Sequence, residues 1–129
     1  MDQIKESDWK QFGRLREVAY ERYCERVLDE IRSVFARANQ TEAQRYDAIS
    51  DLIKRHNKEA ASIFGDFRRS TAKIYLLRLC AEKLITPAEL ATFSLETQEL
   101  INGLVKIREE PLDSADDEIS DSAEFDVSS

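Results

Sequence analysis

Residues that interrupt regular structure are scarce in this chain of 129 residues, which contains only three glycines and two prolines. Folds built from many short strands need such residues at their tight turns, so the composition argues against them. Helix-forming residues dominate, and 35% of the side chains are charged. The length suits a single domain with its own core. We therefore predict an all-α fold, a helical bundle of about five helices with a long first helix.

Long apolar runs are also missing. No stretch approaches the ~18 apolar residues of a membrane-spanning helix, and the N-terminus, starting Met1-Asp2-Gln3, lacks the basic and apolar segments of a secretory signal. We expect a cytoplasmic protein that does not bind membranes. Cysteine is rare too: Cys24 and Cys80 lie far apart within helical patterns. We interpret both as buried small hydrophobic residues, because neither has the nearby partner of a zinc site or redox pair.

The first helix is longer than a small core requires. It is predicted from an N-cap at Ser7, with Asp8 in its first turn, to about Arg37. Residues 14–37 alone would extend about 36 Å at 1.5 Å per residue. One register of apolar residues in this helix alternates steps of four and three, as a coiled-coil seam does. The seam consists of Tyr20, Cys24, Val27, Ile31, Val34 and Ala38. We therefore predict a homodimer formed through this helix.

Capping signals divide the next part of the chain. Thr41 followed by Gln44 has the form of a capping box and predicts the start of a second helix. We expect that helix to break near Gly65, with Asp66 as the next N-cap. The third helix, about residues 67–84, is apolar around most of its circumference and therefore belongs at the centre of the bundle, where we expect Leu77 to be a core residue.

The last helical part starts from the strongest local signal in the chain. Thr86, Pro87 and Glu89 combine a capping residue, a proline in the first turn and an acid at the third position. Ser94 is a candidate cap for a final helix, which Pro111 is expected to end.

Everything after Arg108 has a different composition. Residues 109–129 contain nine acidic side chains and no basic one. Such a segment cannot bury enough apolar surface to offset its ordering entropy, so we predict a disordered acidic C-terminal tail at 109–129 after a helical domain at 1–108. Residues 1–108 contain the other 17 acidic residues and all 19 basic ones. The helical domain therefore carries about +2 within a chain of net charge −7.

The patterns of catalytic and metal sites do not occur in the sequence. Di-metal sites in helical bundles use the motif Glu-x-x-His. In this chain the residue three positions before the single histidine, His56, is Ile53 and not glutamate. The three glycines are isolated, so no phosphate-binding loop is present. We expect no catalytic residue, no metal and no cofactor, and hence a protein that is not an enzyme.

Two basic clusters are candidates for binding a polyanion. They are Lys54, Arg55 and Lys58 at the end of the second helix, and Arg68, Arg69 and Lys73 near the start of the third. If they converge, they could attract phosphates, with the acidic tail as a modulator. Cations are ordinary at helix ends, however, and nucleic-acid domains are usually more basic than +2. We therefore favour a non-enzymatic helical protein–protein interaction or regulatory protein that self-associates, with a nucleic-acid-associated regulator as the alternative.

Overall fold

The fold is an assembly of helices, as the sequence predicts. The computed structural model describes residues 4–116, with the side chains of residues 4–106. Five α-helices occur in this part of the chain, with a 3₁₀ turn at Arg69–Thr71 before the third and no strand between residues 4 and 116. They are α1 (Glu6–Phe35), α2 (Glu42–Phe64), α3 (Ala72–Ala81), α4 (Pro87–Leu90) and α5 (Leu95–Asp116). Residues 117–129 of the predicted tail lie outside the described residues.

α1 starts slightly earlier than predicted. Its N-cap is Lys5, so Ser7 lies inside the helix and does not cap it. The reason is tertiary: Ile4 is buried, and Arg69 donates two hydrogen bonds to the Ile4 carbonyl, from Nε at 3.0 Å and from Nη2 at 2.8 Å. Because these contacts fix the entry of the chain at Ile4, Lys5 becomes the N-cap and the helix begins at Glu6.

α2 opens as predicted. The Thr41 hydroxyl accepts a hydrogen bond from the Gln44 N–H at 3.1 Å, and the Gln44 side chain accepts one from the Thr41 N–H at 2.9 Å. This reciprocal capping box leaves α1 and α2 joined by only six residues, 36–41. The two helices consequently form an antiparallel hairpin.

The connection between α2 and α3 differs from the prediction, because Asp66 does not cap a helix and α3 starts only at Ala72. Phe67 is held against α1 instead. Its ring stacks on Trp9 at 4.6 Å between centroids, and it lies 3.4 Å from the position that a Cβ on Gly13 would take. This packing draws the chain across α1 and delays the helix by about one turn.

α3 supplies the centre of the core, although not through the residue expected. Leu76 and Leu79 are completely buried, whereas Leu77 is half-buried at the edge of the core. The helix ends at Ala81, followed by Lys83 with φ of 61° and a 2.9 Å hydrogen bond from the Leu84 N–H to the Leu79 carbonyl. This is a Schellman motif with lysine in the position that usually carries glycine.

α4 is a single turn fixed to α1 by an ion pair. Thr86 and Glu89 form the predicted capping box. The Glu89 carboxylate also accepts two hydrogen bonds of 2.7 Å from the Arg22 guanidinium, which donates a third to the Leu84 carbonyl at 2.9 Å. The two partners are 67 residues apart in the sequence.

The start of α5 is tied to α1 by a buried carboxylate. Asp8 accepts hydrogen bonds from the Ser94 N–H, the Ser94 hydroxyl and the Thr97 hydroxyl, at 2.9, 2.6 and 2.8 Å. Ser94 caps α5, as expected, but the helix continues through Pro111 to Asp116. A proline removes one main-chain hydrogen bond at a cost of about 3 kcal/mol, and the flanking residues here keep the helical conformation.

The helices form two regions of different construction. In the core end, parts of all five helices surround one cluster whose buried residues come from positions 4–23 and 63–101. The second region is the hairpin arm, residues 24–56, formed by the last half of α1 and the first half of α2. The buried arm residues Val34 and Leu52 do not belong to the main cluster. The arm is therefore a two-helix extension with two buried apolar residues outside the main cluster and several large apolar side chains left exposed.

Candidate protein-interaction surface

One side of the hairpin arm carries an apolar stripe on each helix. The stripe on α1 follows steps of four, four, three and four, and the stripe on α2 follows steps of three and four, so each lies on one helix face. We call the two stripes together the apolar platform. Its arm residues are Cys24, Leu28, Ile31 and Phe35 from α1 and Tyr46, Ile49 and Ile53 from α2, and it extends to Tyr20, just within the core end.

The platform exposes large side chains to solvent. Phe35 and Tyr46 are 67% and 73% exposed, and Tyr20, Leu28 and Ile53 are also exposed. Other exposed apolar residues, such as Ile74 and Leu95, lie on other helices. Single exposed apolar side chains are ordinary on protein surfaces, but a contiguous group of them marks a binding surface.

A groove runs between the two stripes. Near the core end it is a hollow of about 310 Å³ lined by Tyr20, Cys24 and Leu28 on one side and by Ile53 and Ala60 on the other. A second hollow of about 310 Å³ lies towards the tip, between Phe35 and Tyr46. The most exposed side chains of the platform, Phe35 and Tyr46, thus lie near the tip, and the hollow near the core end includes the small residues Cys24 and Ala60 beside Tyr20 and Leu28.

A polar network joins the two helices at the inner end of the groove. The Tyr23 hydroxyl lies 2.9 Å from Glu59 Oε1 and 3.1 Å from His56 Nδ1. On its other side, His56 Nε2 lies 2.5 Å from Glu30 Oε1. The network links α1 and α2 through side chains on both helices, so it fixes their separation where the arm leaves the core end.

The ionisation of this network is set by burial and hydrogen bonding. Burial, together with the hydrogen bond to Glu59, raises the pKa of Tyr23 well above its usual range. The same hydrogen bond holds the pKa of Glu59 below its usual range, because it stabilises the carboxylate form. Tyr23 is therefore a hydrogen-bond donor at neutral pH, and Glu59 is charged.

The predicted seam is only partly available on the surface. Tyr20 is exposed, and Cys24 and Ile31 are half-buried on the platform. Val27 packs against the core, Val34 is buried within the chain, and Ala38 follows the end of α1. The exposed apolar face is therefore rotated from the predicted register towards Leu28 and Phe35, and it includes α2.

The two basic clusters have different surroundings. Arg68 pairs with Asp66 at 2.7 Å, and Arg69 is engaged by the Ile4 carbonyl. Lys73 is half-buried near the start of α3. By contrast, Lys54, Arg55 and Lys58 are exposed on α2 and form no ion pair among residues 4–106.

A further pocket of about 480 Å³ lies between α3, α4 and α5, lined mainly by apolar residues with Cys80 among them. Burial raises the pKa of the Cys80 thiol to about 11, so the thiol is protonated at neutral pH and is a poor nucleophile.

Both cysteines are free and half-buried. Among the residues that the structure describes, no group of three or more histidine, cysteine or acidic side chains is arranged to hold a metal ion.

Two further observations concern the chain as a whole. None of the described helices combines the length and the apolar character needed to cross a bilayer. Comparison of the sequence and structure with protein-family models, curated proteins and solved structures found no match.

Proposed function

We propose that this chain is a non-enzymatic protein–protein interaction or regulatory protein, and that the apolar platform is its binding surface. The observation that carries this proposal is the alignment of two exposed apolar stripes on adjacent helices of the hairpin arm. Self-association is one form of this function, because a second copy of the chain can occupy the same surface.

The composition of the platform supports a protein partner. Aromatic residues are enriched in interfaces, and Tyr20, Phe35 and Tyr46 are all exposed here. Fully burying one such aromatic or aliphatic side chain contributes roughly 1.5–3 kcal/mol. Several acting together would offset the entropy lost on association, which is estimated at 4–15 kcal/mol or more.

The arm geometry supports the same conclusion. An amphipathic helix bound beside two others buries its apolar face in the groove between them. The groove between α1 and α2 has open hollows at both of its ends, and its inner end is held at a fixed width by the Tyr23–His56 network. A partner helix would therefore meet a surface that is already formed.

Photocrosslinking in cells would test this function. A photoreactive amino acid at Tyr46 should give one discrete protein adduct, and Leu28→Asp or Ile53→Asp in the same chain should abolish it. The matched control is the photoreactive residue at Ile74, which is 64% exposed on α3 and outside the platform. Equal, diffuse labelling from both positions would contradict the proposal.

A nucleic-acid-associated regulator is the second candidate, supported by the three exposed cations of α2 that lack ion pairs within residues 4–106. If Lys54, Arg55 and Lys58 bind phosphates, Lys54→Glu together with Lys58→Glu should weaken heparin binding about tenfold or more at low salt, and the difference should shrink as salt rises. Negligible heparin binding by the unmodified chain would eliminate this candidate.

A further inference from the structure

We infer that the platform is occupied by a second copy of the same chain, with the two hairpin arms packed face to face and antiparallel about a two-fold axis. The result is a four-helix bundle made from two arms. This inference rests on the proposed function for its surface, and it adds the identity of the partner and the arrangement.

The arm has the form of half a four-helix bundle. Two antiparallel helices joined by a short loop expose one apolar face, and a four-helix bundle is completed by two more helices against that face. A two-fold axis supplies these helices from an identical surface, which is why most soluble homo-oligomers use it. A symmetric dimer therefore uses only the platform of each copy, and no second binding surface is required.

The shape of the platform selects the antiparallel arrangement. The stripe from Tyr20 to Phe35 rises about 22 Å, and its midpoint lies near Leu28, opposite Ile53 on α2. A two-fold axis crossing there places the tip of one arm over the inner groove of the other. Phe35 and Tyr46, the most exposed side chains of the platform, then meet the hollow that Cys24 and Ala60 of the second copy border together with its Tyr20.

The extent of the platform indicates a dimer of moderate affinity. Two adjacent helices, each about 10 Å wide, give a projected footprint of roughly 450 Å² per copy. A dimer therefore buries somewhat more than about 900 Å² in total, close to the lower bound of about 1,000–1,200 Å² for stable specific interfaces. We expect association at micromolar concentration.

Sedimentation of the full chain, combined with distance measurement, tests the inference. The chain should dimerise at micromolar concentration, and Leu28→Asp and Ile53→Asp should each weaken the dimer at least tenfold. Ile74→Asp should change it less than twofold. A monomer at about 100 µM, or equal effects of all three substitutions, would overturn the inference. If the chain is a monomer but photocrosslinking from position 46 captures a different protein, the inference is overturned and the proposed function remains intact.

Spin labels at the arm tip decide the orientation. Asn39→Cys, in a Cys24→Ser and Cys80→Ser background that still sediments as a dimer, places one label on each tip. Residue 39 lies 11 positions from the inferred axis, so antiparallel arms should separate the labels by about 33 Å or more. A separation below about 20 Å would show parallel arms and contradict the arrangement. If the background does not dimerise, a spin label attached through a non-thiol unnatural amino acid at position 39, in the chain that keeps both cysteines, gives the same distance.

Discussion

The core end and the hairpin arm use the same type of helix for different purposes. At the core end, buried leucines and isoleucines from five helices share one cluster, and polar groups such as Asp8 and Arg22 find partners far away in the sequence. In the arm, α1 and α2 pack mainly against each other, with contacts to the core end only near its base through Arg26 and Val27, and large apolar side chains remain exposed. The difference indicates that the core end provides stability and the arm provides a surface, and substitutions in the two regions should separate these roles.

The largest effect is expected in α3. Leu76→Ala should lower the free energy of unfolding by about 3–5 kcal/mol, because the side chain is completely buried and its removal leaves a cavity. Leu77→Ala should cost less, about 1–2 kcal/mol, since Leu77 is half-buried. Chemical denaturation followed by circular dichroism measures both. Equal losses would show that the assigned core face of α3 is wrong.

The ion pair of α4 should give a pH-dependent effect of about 2 kcal/mol. The Arg22 guanidinium holds the pKa of Glu89 at about 2, below its usual value of 4.5, and partial exposure of the pair reduces the corresponding free energy. Because this pKa is depressed in the folded state, the stabilisation is present above about pH 4.5 and is lost as the pH falls towards 2.

Glu89→Gln keeps the shape of the side chain and removes its charge, so it tests this effect directly. At pH 7 the variant should be less stable by about 2 kcal/mol, and the difference from the unmodified chain should disappear near pH 2. Thermal unfolding at several pH values measures it. A difference that stays constant across this range would show that the charge is not the cause.

A smaller, stabilising effect is expected in α5. Gly103 lies within the helix, and no other atom lies within 4 Å of the position that an added Cβ would take. Gly103→Ala should therefore stabilise the core end by about 0.5–1 kcal/mol, because glycine is a poor helix former. Thermal melts can resolve this gain. A loss of stability would mean that the α5 surface at Gly103 is covered by another part of the molecule.

The smallest effect on stability should come from the platform. Under dilute conditions in which the chain is monomeric, Leu28→Asp should change the free energy of unfolding by less than about 0.5 kcal/mol, since the side chain already meets solvent. The same substitution is expected to weaken association at least tenfold. A large loss of monomer stability would place Leu28 in the core and remove the contrast between the two regions.

Local signals in the sequence were sufficient where the physics is local. The capping boxes of Thr41 and Thr86 and the cap at Ser94 were identified correctly, because each depends on residues within one turn. The start of α3 was placed too early, since the decisive contact joins Phe67 to Trp9 across the fold. Helix periodicity predicted the apolar faces, but it could not tell which of them another helix covers.

The platform illustrates this limit. The spacing of seven residues between Tyr46 and Ile53 puts both on one side of a helix, and the predicted seam includes Tyr20 on the first helix. The sequence could not show that these residues line one groove, because that depends on how α2 is rotated against α1. The sequence does offer one signal for an exposed face. A count of apolar helix faces against the helices available to cover them would have indicated that one face stays exposed.

The sequence by itself determined an all-helical chain with a long first helix and defined caps, since helix propensity, periodicity and capping act over a few residues. Tertiary structure decided which polar groups became partners and which apolar faces stayed exposed. Asp8 joins Ser94 and Thr97, and Arg22 joins Glu89, only because packing brings distant segments within hydrogen-bond distance. The arm remains uncovered for the same reason: the buried apolar residues of α3, α4 and α5 within positions 4–106 all belong to the cluster at the core end.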